Sequence, residues 1–66
     1  MKINKSAEKQ RFACPCCNSM TIGNLGTYEI CAVCGWEDDP IQSADPEYIG
    51  GANANSLSQA RKKWHE

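Results

Sequence analysis

Five cysteines stand in this chain of 66 residues, and four of them fall into two C-x-x-C pairs. The first reads Cys14-Pro15-Cys16-Cys17-Asn18 and the second Cys31-Ala32-Val33-Cys34-Gly35. A C-x-x-C loop bends tightly, so that both sulfurs and several amide N–H groups face one point. Each pair is followed by a residue that tolerates left-handed backbone, Asn18 in one and Gly35 in the other. Pro15 presets φ for the first turn and removes one N–H donor. Four thiolates gathered this way match a structural zinc site of the all-cysteine kind, with Cys14, Cys17, Cys31 and Cys34 holding one ion per chain. Iron in the same site, two disulfides, or redox thiols are the competing readings. Residues 1–11 are polar and lysine-rich with no apolar run, so a cytoplasmic location is expected. There disulfides are rare, and paired C-x-x-C units serve metal or redox chemistry.

Two further side chains bear on the site. Cys16 lies inside the first pair, and the Cys14/Cys17 spacing leaves it as a fifth thiol. Exposed beside a cationic metal it would be a reactive thiol; otherwise it is an inert knuckle residue. His65, the single histidine, could replace a cysteine as ligand, but four well-spaced thiols already fill a tetrahedral site. It is read as a surface residue.

The elements that must position these groups are short. Arg11-Phe12-Ala13 should form a strand leading into the first cysteine, with Phe12 against the knuckle. Met20-Thr21-Ile22 and Thr27-Tyr28-Glu29-Ile30 alternate as strands do, and Gly23-Asn24-Leu25-Gly26 between them has turn chemistry. Those two strands are expected to pair as a hairpin with one cysteine pair at each end, the zinc-ribbon arrangement. Trp36 should lie as a lid over the metal site. Ser56-Leu57-Ser58-Gln59 matches a capping box, and Leu57, Ala60, Arg61 and Trp64 then share one helical face. Arg61, Lys62, Lys63 and His65 sit where cations suit the helix dipole. Leu57 and Trp64 should bury against the ribbon.

The fold class expected is therefore a small metal-stabilised α+β protein: a zinc-ribbon β-hairpin with two cysteine knuckles plus a C-terminal helix. Residues 1–10 read as an N-terminal arm and residues 11–66 as one zinc-ribbon domain. Within it, residues 37–55 form a loop pinned through Ile41, Tyr48 and Ile49, and residues 57–65 form the helix. So short a chain buries too little surface to be comfortably stable alone. Zinc would supply the deficit, since binding of a structural ion is coupled to folding. No stretch approaches the ~20 apolar residues of a membrane helix, so no membrane association is expected.

At this point several motifs, in order, resemble one family. CPCC at Cys14 to Cys17, YEIC at Tyr28 to Cys31, VCGWEDD at Val33 to Asp39, GGAN at Gly50 to Asn53 and SLSQAR at Ser56 to Arg61 are similar to the bacterial CPCC-type cysteine-rich small proteins. The resemblance spans residues 12–64. It implies a metal-bound fold, and the placing of some similar proteins near contact-toxin or mobile-element loci would suit an immunity or accessory role. The knuckles also resemble those of rubredoxin, in their C-P-x-C and C-x-x-C-G form, which would imply iron and electron transfer. The short gap between the pairs and the different aromatic pattern make that the more distant reading.

Three function classes follow. The first is a non-catalytic, metal-stapled protein-interaction module. Its unidentified protein partner would be basic and would meet the acidic cluster Glu37, Asp38 and Asp39, with Tyr48 nearby. A solvated acidic face is the blander account of the same residues. The second class is a nucleic-acid-binding ribbon using Lys2, Lys5, Lys9, Arg61, Lys62 and Lys63. The formal charge of −1 opposes it, the more so because four thiolates and Zn²⁺ bring the total to about −3. The third is an enzyme or thiol-redox protein. A catalytic zinc keeps an open position, which four cysteines do not leave, and only Cys16 sustains a redox role.

Overall fold

A computed structural model describes residues 11–66. The N-terminal arm, with Lys2, Lys5 and Lys9, lies outside the described residues. Four elements follow in order: β1 (Phe12–Ala13), β2 (Met20–Ile22), α1 (Pro40–Ala44) and α2 (Leu57–His65). The two strands pair antiparallel, Phe12 opposite Ile22 and Ala13 opposite Met20, with a bulge between the two pairs. A two-strand hairpin, a C-terminal helix and a cluster of four cysteines thus make up the fold, as expected.

The pairing within it differs from the expected one. β2 pairs back onto β1 across the first cysteine turn, not forward onto residues 27–30. Those residues turn away for local reasons. Tyr28 adopts a left-handed φ of 63°, which breaks a regular strand. The Glu29 carboxylate accepts from the Gly23 and Asn24 N–H groups, which folds residues 23–26 into the expected turn without strand pairing across it. The extended backbone that follows pairs instead with the segment after the second knuckle. Ile30 bridges Glu37, Cys31 N–H donates to the Trp36 carbonyl, and Asp38 N–H donates to the Glu29 carbonyl.

The two halves consequently repeat one design. In the first, Asn18 N–H closes onto the Cys14 carbonyl and Cys14 N–H onto the Ser19 carbonyl. In the second, Gly35 N–H closes onto the Cys31 carbonyl and Cys31 N–H onto the Trp36 carbonyl. Asn18 and Gly35 carry the positive φ values, 69° and 84°, that their types make tolerable. A strand pair seals each turn: Ala13 with Met20, Ile30 with Glu37.

Residues 37–55 are pinned, but by other side chains than expected, and they contain a helix. Asp39 caps α1, its carboxylate accepting from Ile41 and Gln42 N–H, and Pro40 occupies the first turn, where its missing N–H costs nothing. Ile41 is 57% exposed and Tyr48 and Ile49 are exposed as well, so none of the three docks the loop. Gln42 does. Its side chain is fully buried; its amide donates to the Tyr48 and Asn55 carbonyls and its oxygen accepts from the backbone and side chain of Asn53. Asn53 in turn exchanges two hydrogen bonds with the backbone of Glu37, 2.9 and 2.7 Å long, standing in for a neighbouring strand. Gly51 lets this network close: a Cβ there would come within 2.5 Å of the Asp39 carboxylate and 2.6 Å of Gln42.

Helix α2 has the expected limits. Ser56 and Gln59 form the full capping box, and Lys62, Lys63 and His65 occupy the last turn. Leu57 is buried with Ile22, Trp36 and four of the cysteines in one core. Trp64 is 45% exposed and Phe12 is exposed, so neither joins that core as expected. The reason is size. A single layer over the knuckles is covered by Leu57 and Ala60, which leaves the distal turn of the helix standing clear.

Candidate metal centre

The two turns face one another and bring four sulfurs together. The Sγ atoms of Cys14, Cys17, Cys31 and Cys34 all lie within 4.8 Å of one another. Across the pairs, Cys14 and Cys34 are 3.6 Å apart and Cys17 and Cys31 are 3.7 Å apart. Ligands on a tetrahedron around an ion with bonds of about 2.3 Å stand about 3.8 Å from one another. The donor set fits a tetrahedral four-thiolate ion, and the cysteines are all free thiols. All four predicted ligands are therefore brought together, and they are positioned to hold a metal ion.

Burial and hydrogen bonding divide the sulfurs. Burial pushes the Cys14 thiol up to about 12, against the pull of the Cys17 and Cys16 N–H groups. Burial likewise raises Cys34 to about 12, with the Trp36 N–H opposing it. Cys31 goes the other way: burial is outweighed by the Thr21 hydroxyl and by the Cys34 and Val33 N–H groups, and its pKa falls to about 6. In the metal-free protein the set thus holds protons that an incoming cation must displace, so loading releases them.

Cys16 is not the exposed thiol the sequence suggested. It is 6% exposed, and burial raises its pKa rather than lowering it. Its counterpart in the second turn, Val33, is exposed. The difference is α2, which crosses the first turn and is tied to it where Arg61 Nε donates to the Pro15 carbonyl at 2.8 Å. A cleft of about 300 Å³ opens beside α2, lined by Ala60, Lys63 and Trp64 of the helix, Gly35 and Trp36 of the second turn, and Cys16, among others. Trp36 is buried beside the cysteines, as a lid should be, and its indole N–H has no partner among the described residues. His65 is exposed and takes no part in the sulfur cluster.

The acidic cluster does not form a displayed patch. Asp38 is 1% and Asp39 is 3% exposed. The Asp38 carboxylate accepts from Gly26 N–H at 2.7 Å and from the Ser43 hydroxyl at 3.5 Å. The Asp39 carboxylate accepts from Ala52 N–H at 2.8 Å besides capping α1. Those amides, Ala52 first, hold its pKa below the ordinary value. Both carboxylates are spent on backbone donors that no strand or helix satisfies. Glu37 is half-buried, and Tyr48 is 40% exposed.

Sequence reasoning missed four residues around the site: Gln42, Gly51, Asn53 and Thr21. Asp39-Pro40 was the available signal for α1, since an aspartate before a proline is a helix start. Nothing in the sequence marks Gln42 as buried, because its partners are backbone groups of a loop.

The knuckle pair, its closed sulfur cluster and the crossing helix define a small four-cysteine metal-site protein. The chain belongs to the Cysteine-rich CPCC family, whose model matches residues 12–66. Comparison with curated proteins gives no match. Among the described residues no helix is long and apolar enough to cross a membrane.

Proposed function

We propose that the protein is a non-catalytic, zinc-stapled protein-interaction module of the bacterial cytoplasm. The closed cluster of four thiols carries the reading: an ion held by all four has no position left for substrate, so its work is to hold the fold. Zinc suits four thiolates in a reducing compartment, and the free thiols fit such a compartment. Iron would serve the same set, and a red preparation would reveal it.

The face offered to a partner is moved by the burial of Asp38 and Asp39. The exposed surface that gathers charge around an aromatic ring is the far turn of α2, with Arg61, Lys62, Lys63 and His65 around Trp64, beside the 300 Å³ cleft. This surface suits an acidic partner segment with an apolar residue for the cleft. Complementary charge of this kind raises association rates and fades with salt. An immunity or mobile-element accessory role is compatible with such a module. The same basic, tryptophan-bearing turn favours one second reading, a single-stranded nucleic acid stacked on Trp64.

The test compares wild-type protein with Trp64→Ala and Lys63→Glu, each checked for zinc content and amide dispersion. Captured from host lysate, a partner that survives nuclease and is lost with both variants supports the module. Loss of capture on nuclease treatment, with oligothymidylate shifting the Trp64 indole resonance, would establish the nucleic-acid reading instead.

A further inference from the structure

The repeated design of the two turns makes their differences visible, and one of them touches the metal centre. Thr21 and Asp38 occupy matching places, each just beyond the residue that seals its turn. Asp38 turns away from the sulfurs to Gly26 and Ser43. Thr21 reaches across to the other turn: its Oγ1 lies 2.9 Å from Cys31 Sγ. The Cys31 sulfur also accepts from Val33 N–H at 3.3 Å and Cys34 N–H at 3.5 Å. It is 1% exposed, so water cannot supply a donor.

We propose that Thr21 is a positioning residue of the metal centre, its hydroxyl donating to the Cys31 thiolate and holding that sulfur ready for the ion. The argument is one of charge. Four thiolates around a divalent ion keep an excess of negative charge in a buried place, and buried charge requires hydrogen-bond donors. A thiolate has no proton to give, so in that state the hydroxyl must be the donor. Its other acceptor within reach, the Ser19 carbonyl, is farther off at 3.4 Å. The hydroxyl also joins the two halves, since Thr21 belongs to the strand of the first turn and Cys31 opens the second. Groups that hydrogen-bond a metal ligand commonly change affinity about 10–100-fold when removed.

The experiment uses the full chain with Thr21→Val, Thr21→Ala and Thr21→Ser, titrated with zinc against a chromophoric chelator and with Co²⁺ for its thiolate charge-transfer bands. Val and Ala are expected to weaken zinc binding by about tenfold or more and to shift the cobalt bands, while Ser restores both. Val has the better strand propensity, so weaker binding by that variant reflects the lost hydroxyl rather than a poorer strand. Should Val fail to fold in saturating zinc, Ser against Ala decides the same comparison. Val and Ala binding as tightly as wild type with an unshifted cobalt spectrum would overturn the proposal, as would Ser behaving like Ala. The inference rests on the metal-holding part of the reading above. A wild-type chain that takes up no zinc sinks both, whereas equal uptake by all variants sinks this inference alone.

Discussion

Each sulfur of the cluster has a distinct local duty, and single changes should separate them. Cys17 belongs to the cluster of four sulfurs positioned to hold an ion, and Cys16, its neighbour, lies beside that cluster without being one of the four. Native mass spectrometry should find one zinc on the wild type and on Cys16→Ser, and none on Cys17→Ser. Equal loss from both serine variants would mean that the ligand assignment is wrong. Gln42 offers a second test at this scale. Replacing it with leucine keeps the bulk but abandons two carbonyls and the backbone and side-chain N–H groups of Asn53, where a group left buried without a partner costs about 1–3 kcal/mol. Gln42→Leu should therefore lower the thermal midpoint sharply while the zinc stoichiometry stays at one. Both residues show where sequence reading reaches its limit. The ligands were legible because C-x-x-C spacing encodes a turn by itself. Gln42 was not, because its role depends on carbonyls brought to it by a loop.

At the scale of elements the same division holds. Helix α2 was legible to its ends, since the capping box, the apolar spacing and the basic last turn are all local signals. The strands at residues 12–13 and 20–22 were legible as strands, yet their partnership was not. Alternation says that a segment is extended; it does not say which neighbour it meets. Here closure of each cysteine turn decided the pairing, and the Gly23–Gly26 turn served only as a connection. Helix α1 was not legible as a helix because three adjacent acids read as a charged patch, whereas Asp39 and Pro40 form a cap and a first turn. The dense packing beneath α1 gives a sharp prediction. Gly51→Ala would drive its methyl into the Asp39 carboxylate and Gln42, so residues 37–55 must shift to admit it. Amide exchange in those residues should accelerate, while exchange around the cysteine turns stays slow. A uniform increase across the chain would show that the loop and the knuckles unfold as one unit. The capping box gives a smaller effect: Ser56→Ala should cost about 1 kcal/mol and fray only the start of α2.

For the whole molecule the decisive quantity is how little apolar surface it encloses. Among the described residues, the buried hydrophobic set consists of Ile22, Trp36 and Leu57 together with Cys14, Cys16, Cys17 and Cys31. Only three of these seven are large apolar side chains, and each of the remaining four, all cysteines, would be a buried charge if ionised without a cation. Among the described residues, ten large hydrophobic ones, from Phe12 to Trp64, stay exposed and contribute little to the core. The β-hairpin is two residues against three, far below what persists alone in water. Hydrogen bonds do not repair this deficit, because each replaces one made to water and nets only about 1 kcal/mol. The ion is therefore expected to supply most of the folding free energy, as in other small metal-bound domains where binding contributes ~10–16 kcal/mol. Chelation at neutral pH should collapse amide dispersion over residues 11–66, knuckles and α1 together, and zinc should restore it at one equivalent. The helix should go with the rest, since nine residues do not hold a helix without the core that Leu57 enters. If a demonstrably metal-free sample keeps its dispersion, then the Gln42 and Asn53 network with the small core holds the fold. In that event the four thiols would be free for chemistry other than structure, and the case against a redox role would have to be reopened.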